Sequence, residues 1–198
     1  METLQTLKRF TIDTNCIVDV EERRPNAKHI EALRDLHLSK KIELAVVGIA
    51  ASERQKHGPP LRNINDFLER LARLQLDELT ILKPIGVWDL TFWDWSVWSG
   101  LELQDRQREL HSVLFPNEIF DHTAYCESKG IAVGEVIDQK WRNRKCDVLT
   151  LLAHIMAGHE FFVTGDRNFL KASKKAALEN LGAKKILRPE EIEDIDFE

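Results

Sequence analysis

The sequence contains few of the residues that define several protein classes. Its 198 residues include only three cysteines, nine glycines and six prolines. Because Cys16, Cys126 and Cys146 are odd in number and widely spaced, the sequence predicts neither a disulfide framework nor a paired-cysteine metal site. The sequence also has no internal repeat and no low-complexity run, which excludes fibrous and repeat architectures.

Long apolar runs are missing too. No stretch approaches the ~20 apolar residues of a membrane span, and residues 1–10 lack the basic-then-apolar pattern of a signal peptide. We therefore expect a cytoplasmic protein with no membrane partner. Hydrophobic residues make up 43% of the chain and charged residues 31%, which is ordinary for one well-buried domain of this length.

The net charge of −5 argues against a protein that binds nucleic acid over its whole surface. A nuclease is not excluded, because a cluster of metal-binding carboxylates lowers the net charge while a local basic patch contacts phosphates. A local run of lysines and arginines is more often simply a solvent-exposed surface than a binding site. The basic residues that we consider for RNA binding are Arg142, Arg144, Lys145, Arg167 and Lys171.

Short apolar segments alternate with amphipathic ones at both ends of the chain. Strands are predicted at 9–14, 42–47, 79–87, 160–164 and 184–187, with helices between them, including one that begins at Asp147. This alternation is typical of a mostly parallel sheet covered by helices on both faces. In such folds ligands bind beyond the carboxyl ends of the strands.

The middle of the chain, about 87–141, is the least regular part. Trp88, Trp93, Trp95 and Trp98 lie within eleven residues there, among segments that are mainly helical. The tryptophans have two interpretations: they stack on RNA bases, or they form a core or an interface of an extra subdomain. General burial preferences favour the second interpretation.

Four carboxylates follow predicted strands or lead predicted helices on separate elements. Asp13 ends the first strand, Glu53 follows the second, Asp147 begins a late helix, and Asp166 follows the strand at 160–164. Since the carboxyl ends of parallel strands share one edge, these acids can converge on one crevice. Each has an ordinary alternative: a turn for Asp13 and Asp166, a helix cap for Asp147, and a solvated helix face for Glu53.

Convergence of these acids requires a cation. Two carboxylates ~5 Å apart repel each other by roughly 3 kcal/mol at an effective dielectric constant near 20. Mg²⁺ or Mn²⁺ relieves this repulsion, because these hard ions prefer oxygen ligands and retain water molecules that meet substrate phosphates. Asn15, two residues after Asp13, faces the same side of an extended chain and is a candidate to orient a ligand; it is also a candidate cap for the following helix.

Two segments of the sequence resemble the PIN-domain nucleases, and within that family the VapC-type toxins of toxin–antitoxin systems. The first is "FTIDTNCIVD", similar to the opening strand of the family with its Asp-x-Asn. The second is "CDVLTLLAHIMAGHEFFVTGDRNFLK", similar to its acid-led helix, strand and Thr-x-Asp-x-x-Phe segment. A third, "ELAVVGIAASERQKHG", matches the second strand and the glutamate after it.

The resemblance implies a three-layer α/β/α sandwich and cleavage of RNA by a metal-activated water, with Mg²⁺ or Mn²⁺ as cofactor. It implies that Asp13, Glu53, Asp147 and Asp166 are the metal-binding and catalytic acids, and that Asn15 and Thr164 support them by hydrogen bonds. Asn168 stands where some members carry a further acid. An antitoxin protein and a second copy of the chain are the partners that the resemblance adds to RNA.

The stretch between Glu53 and Asp147 is longer than in compact members of that family. We therefore predict one domain over 1–198, with a mainly helical subdomain inserted at about 87–141. Asp94 and Asp138 are rival candidates for the third acid within this stretch. The alternative functions are a non-catalytic module that binds protein or RNA, and a phosphatase of the haloacid-dehalogenase type, for which Asn15 stands where a titratable acid is needed.

Overall fold

A computed structural model describes residues 7–52, 63–88, 90–92, 95–98, 100–132 and 137–197. Within these residues lies a sheet of five parallel strands in the order β3-β2-β1-β4-β5. The strands are β1 (Lys8–Ile12), β2 (Ile42–Val47), β3 (Thr80–Leu82), β4 (Phe161–Val163) and β5 (Lys185–Leu187). The predicted α/β class with a parallel sheet is confirmed.

Helices cover both faces of this sheet, which makes the fold a three-layer α/β/α sandwich. They are α1 (Thr14–Glu21), α2 (Ala27–Leu38), α3 (Ile64–Arg73), α4 (Leu101–Leu114), α5 (His122–Lys129), α6 (Gln139–Ala157), α7 (Arg167–Leu170) and α8 (Ala172–Leu178). Short helical turns occupy Gly48–Ser52, Glu179–Ala183 and Pro189–Asp194. None of the helices described has the length and apolar character needed to cross a membrane.

Side chains of alternate strand residues fill two separate cores. Phe10 and Ile12 of β1 pack with buried residues of α1, α2 and α3 on one face. Phe162 of β4 and Ile186 of β5 pack with α4, α6 and α8 on the other face. Because successive strand residues point to opposite faces, each strand contributes to both layers.

The strand order reverses direction at β1. The chain proceeds from β1 through β2 to β3 on one side, and then returns to the other side for β4 and β5. In open parallel sheets, the crevice beyond the carboxyl ends at such a switch point is the usual ligand site. Here the switch point lies between β1 and β4, which are followed directly by Asp13 and Thr164.

The helix that contains Asp147 begins earlier than the sequence predicts. Helix α6 begins at Gln139 and is capped by Asp138, whose side chain accepts hydrogen bonds from the backbone N–H groups of Lys140 and Trp141. The prediction that Asp147 begins the helix, and the alternative that it is an N-cap, are therefore wrong. The basic segment at 139–145 has no helix-breaking residue, so the helix continues through it.

The tryptophan-rich segment does not form a core throughout. Trp88 and Trp98 are 71% and 77% exposed, whereas Trp95 is half-buried against the core on the α1 side. The core interpretation is therefore wrong for Trp88 and Trp98, and Trp93 lies outside the described residues. Helix α4 packs into the core with α6, and a separate subdomain at about 87–141 stays a prediction.

Candidate active site

An acidic cleft of about 560 Å³ opens at the carboxyl ends of β1 and β4. Three of the four predicted acids line it: Asp13, Asp147 and Asp166. Glu53 and the rival candidate Asp94 lie outside the described residues. The other side chains of the cleft that matter here are Asn15, Asp19, Glu21, Glu22, Arg24 and Arg70.

Asp13 is the N-cap of α1, so the strand runs into the helix with one residue between them. Its Oδ1 accepts a hydrogen bond from the backbone N–H of Thr14 at 2.7 Å. Its own N–H donates to the carbonyl of Val163 at 3.0 Å, which fixes the end of β1 beside the end of β4. The turn and the ligand interpretations of Asp13 are thus compatible, because one carboxylate oxygen caps the helix and the other, Oδ2, lies next to β4.

The hydroxyl of Thr164 connects three of the predicted site residues. It donates to Asp13 Oδ2 at 2.7 Å and accepts from Asn15 Nδ2 and from the backbone N–H of Asp166, both at 3.0 Å. Since a hydroxyl has a single proton to donate, these contacts fix its orientation toward Asp13. Asn15 also donates to Asp13 Oδ2 and accepts from the N–H of Gly165 at 2.8 Å. The two side chains therefore hold Asp13 in one orientation.

Asp166 and Asn168 form the other side of this arrangement. Asp166 caps α7, and its Oδ1 accepts from the N–H of Asn168 at 2.7 Å. The side-chain oxygen of Asn168 accepts from Lys174, which also donates to the carbonyl of Leu114 at the end of α4. The segment after Asp166, for which a turn was the ordinary alternative, is thus a short helix, and Lys174 connects it to the end of α4 in the same layer.

The pKa of Asp13 is raised to about 6, chiefly by burial and also by the nearby charge of Asp166, against the hydrogen bonds from Thr164, Thr14 and Asn15, which lower it. Those three donors are neutral, so in the described part of the chain their dipoles, not an ion pair, stabilise the carboxylate. A carboxyl group in this position is ionised more readily when a cation approaches. Asp13 and Asp166 are therefore the electrostatically coupled pair of the site.

Asp147 lies in the third turn of α6 and lines the cleft from the opposite layer. Asp138, the rival that caps the same helix, accepts hydrogen bonds from the first backbone N–H groups of α6 and from the hydroxyl of Tyr125 at 2.8 Å. Among the described residues, Asp138 does not belong to the cleft lining, whereas Asp147 does.

Sequence analysis missed the arginines of the cleft. Arg24 lies 3.2 Å from Asp19 and 2.7 Å from Glu22, and Arg70 lies 2.7 Å from Glu21. Arg70 comes from α3 and its partner from α1, 49 residues apart. A pair so distant leaves no local pattern in the sequence, although an arginine on the apolar stripe of α3 is a signal of buried pairing.

The basic residues considered for RNA binding occupy different environments. Arg167 and Lys171 are exposed beside α7, and Arg142 is half-buried on α6. Lys145 is only 8% exposed, with Nζ 3.8 Å from the centre of the Phe120 ring, and burial lowers its pKa to about 8. Arg144 pairs with Glu118 at 2.9 Å. The five residues therefore do not form one continuous patch.

The donor set of the cleft fits a hard divalent cation in kind, since its side chains offer carboxylate and amide oxygens. No group of three His, Cys, Asp or Glu side chains within the described ranges is close enough to hold one ion. Mg²⁺ typically needs only one or two protein carboxylates together with waters and substrate phosphates. Asp13 and Asp166 supply that minimum, with Asp147 across the cleft.

Comparison with known proteins gives no match: no family model, no curated protein and no solved structure is similar to the chain.

Proposed function

We propose that the protein is a Mg²⁺- or Mn²⁺-dependent endoribonuclease that hydrolyses RNA phosphodiester bonds in this cleft. The observation that carries the proposal is the buried Asp13, placed at the switch point of the sheet beside Asp166 and oriented by Thr164 and Asn15. Burying one carboxylate next to another is unfavourable unless a cation compensates their charge, so such a pair is a candidate functional site.

Each residue has a distinct part in this proposal. Asp13, Asp166 and Asp147 would hold the metal, and Glu53 completes the set of acids that the PIN-domain resemblance implies. Thr164 and Asn15 orient Asp13, and the N–H of Asn168 orients Asp166. When bound, a divalent ion lowers the pKa of an attacking water and stabilises the charge of the phosphodiester.

The resemblance to VapC-type toxins adds a cellular role and partners to the proposal. We infer a cytoplasmic protein that is the toxin of a toxin–antitoxin pair, with an antitoxin and a second copy of the chain as partners. A basic antitoxin side chain inserted into the cleft would compensate the charge of Asp13 and Asp166 in the way that a metal does.

Calorimetric titration of Mn²⁺ tests the metal site directly. We expect the wild-type protein to bind Mn²⁺ and to cleave single-stranded RNA, with cleavage abolished by EDTA. The folded Asp13→Asn variant should lose both properties, because it removes the only carboxylate that β1 supplies to the site. Glu22→Gln, at the rim of the same cleft, is the matched control and should retain both. Circular dichroism checks the fold of each variant.

The alternative function is a non-catalytic module that binds protein or RNA. The exposed rings of Trp88 and Trp98 favour it, because tryptophan is enriched at binding surfaces. Absence of Mn²⁺ binding and of RNA cleavage in the wild-type protein would contradict the nuclease proposal and support this one.

A further inference from the structure

A second group of charged residues lies between α4, the loop that follows it, and the first turns of α6. Lys145 Nζ lies 3.8 Å and Arg108 Cζ 4.8 Å from the centre of the same ring, Phe120. A cation is attracted to an aromatic face, but two cations at one ring repel each other. Attraction to the ring of Phe120 therefore does not fully compensate the repulsion between the charges of Lys145 and Arg108.

Two further residues of this group have polar atoms that are buried and unsatisfied. His111 is 5% exposed and its Nε2 contacts the carbonyl of Glu118 at 3.0 Å, but its Nδ1 has no hydrogen-bond partner among the described residues. Arg144 pairs with Glu118 through Nη1, and its Nε and Nη2 likewise find no partner in the described ranges. Buried polar groups are rarely left unpaired, so each requires an explanation.

These residues form one electrostatic unit, which we name the basic cluster: Arg108, His111, Arg144 and Lys145. Their rings and charges are in contact range, since the His111 ring lies 5.3 Å from that of Phe120. Burial lowers the pKa of His111, and the charges of Lys145 and Arg144 lower it further. The nearby carboxylates are Glu118, already paired with Arg144, Asp121, whose Oδ1 caps α5, and Asp138, which caps α6.

The basic cluster lies at the same end of the molecule as the cleft. Lys174 of α8 donates to the carbonyl of Leu114, the last residue of α4, and to Asn168, whose N–H bonds to Asp166. Phe115, next to Leu114, lies 5.5 Å from His111. A continuous series of contacts therefore connects Asp166 with the basic cluster.

We propose that the basic cluster binds a phosphate group of the RNA backbone outside the cleft, and so docks the substrate whose neighbouring phosphodiester is cut. The proposal rests on the proposed ribonuclease function for the identity of the ligand. Guanidinium and ammonium groups together suit a phosphate, which accepts several hydrogen bonds and compensates both charges at Phe120.

The test measures binding of labelled single-stranded oligouridylate by fluorescence anisotropy, in EDTA and over a range of salt concentrations. Arg108→Gln is the main variant, because Arg108 is exposed and its removal leaves the core intact. We expect its dissociation constant to rise about fivefold to tenfold at low salt. The slope of log K against log salt should become shallower by about 0.7 for one lost phosphate contact on a single strand.

Two other variants make the test specific. Lys41→Gln removes the same unit charge from an exposed position just before β2, at the amino ends of the strands, and should change neither the affinity nor the slope. Lys145→Met keeps an apolar stem against Phe120 and should weaken binding as Arg108→Gln does. If Arg108→Gln binds RNA like the wild-type protein, the proposal is overturned, whether or not Lys145→Met folds.

Failure of this proposal is distinguishable from failure of the nuclease assignment. RNA cleavage by the wild-type protein together with unchanged RNA binding by Arg108→Gln would overturn the basic cluster alone. RNA binding that depends on Arg108, in a protein that neither binds Mn²⁺ nor cuts RNA, would support the cluster and overturn the nuclease. If inorganic phosphate raises the unfolding temperature of the wild-type protein but not of Arg108→Gln, and both bind RNA alike, the cluster takes a free anion and the RNA proposal is overturned.

Discussion

Two sets of carboxylates line the same cleft and are stabilised in different ways. The inner acids, Asp13 and Asp166, accept hydrogen bonds from hydroxyl and N–H groups. The outer acids, Asp19, Glu21 and Glu22, each lie within ion-pair distance of an arginine. The fold thus supplies positive charge to the rim of the cleft and neutral dipoles to its base.

This difference separates acids that serve the fold from acids that are available to a ligand. An ion pair already neutralises a carboxylate, so the outer acids gain little from a metal. Neutral donors orient the inner acids without removing their charge, and burial makes the charge of Asp13 costly. A cation supplied from solution would therefore gain the most electrostatic energy at the inner acids, which is what the proposed function needs.

The largest expected effect is on catalysis. Under the proposed function, Asp166→Asn should lower kcat/KM for RNA cleavage at least about 100-fold, because a metal ligand contributes several kcal/mol of transition-state stabilisation. Glu22→Gln should change it less than about threefold, since Glu22 is already paired with Arg24. Both are measured with saturating Mn²⁺ on the same RNA. Equal losses in the two variants would remove the distinction between inner and outer acids.

The next effect is on stability, and it depends on pH. Asp13 has a pKa of about 6 in the folded protein, against its ordinary value of 3.8. Between these two pH values the folded state holds a proton that the unfolded state has lost, so the stability that this proton contributes is lost as the pH rises through that window. Without metal, the wild-type protein should therefore lose about 1–3 kcal/mol between pH 4 and pH 7 from this group.

Asp13→Asn does not titrate and should lack this loss. Urea unfolding in EDTA at pH 4 and at pH 7 measures the difference, with the variant gaining stability relative to the wild-type protein at the higher pH. Adding Mn²⁺ at pH 7 should restore the wild-type protein and leave the variant unchanged. A wild-type advantage at pH 7 in EDTA would show that the carboxylate is stabilised by the fold itself.

Sequence analysis succeeded where a residue's position follows from its neighbours in the chain. Asp13 and Thr164 each follow a short apolar strand, and a parallel sheet then places both at one edge. It failed for the start of α6, because a run of good helix formers conceals where that helix begins, and for Trp88 and Trp98, because composition does not specify which aromatic rings face solvent. Ion pairs between α1 and α3 depend on packing that only the folded chain defines.

A smaller effect tests the outer acids. Arg70→Met should lower the free energy of unfolding by about 1–3 kcal/mol, because Arg70 is 4% exposed and Glu21 then loses its buried partner. Glu21 itself is partly exposed to solvent, which keeps the loss below that of a fully buried pair. Arg73→Met, on the exposed face of the same helix, is the control and should change stability by less than about 0.5 kcal/mol. Equal losses would mean that the pair is not structural.

The smallest effect concerns Arg24, which neutralises two outer acids from an exposed position. Arg24→Gln should cost less than about 1 kcal/mol of stability, because the pairs are screened by water and the side chain of Asn26 still donates to Asp19. Removing this cation makes the cleft more negative, so Mn²⁺ affinity should rise about twofold at low ionic strength and return to the wild-type value as salt is added. A fall in Mn²⁺ affinity would mean instead that the metal site depends on the geometry of the rim, and that inner and outer acids act as one unit.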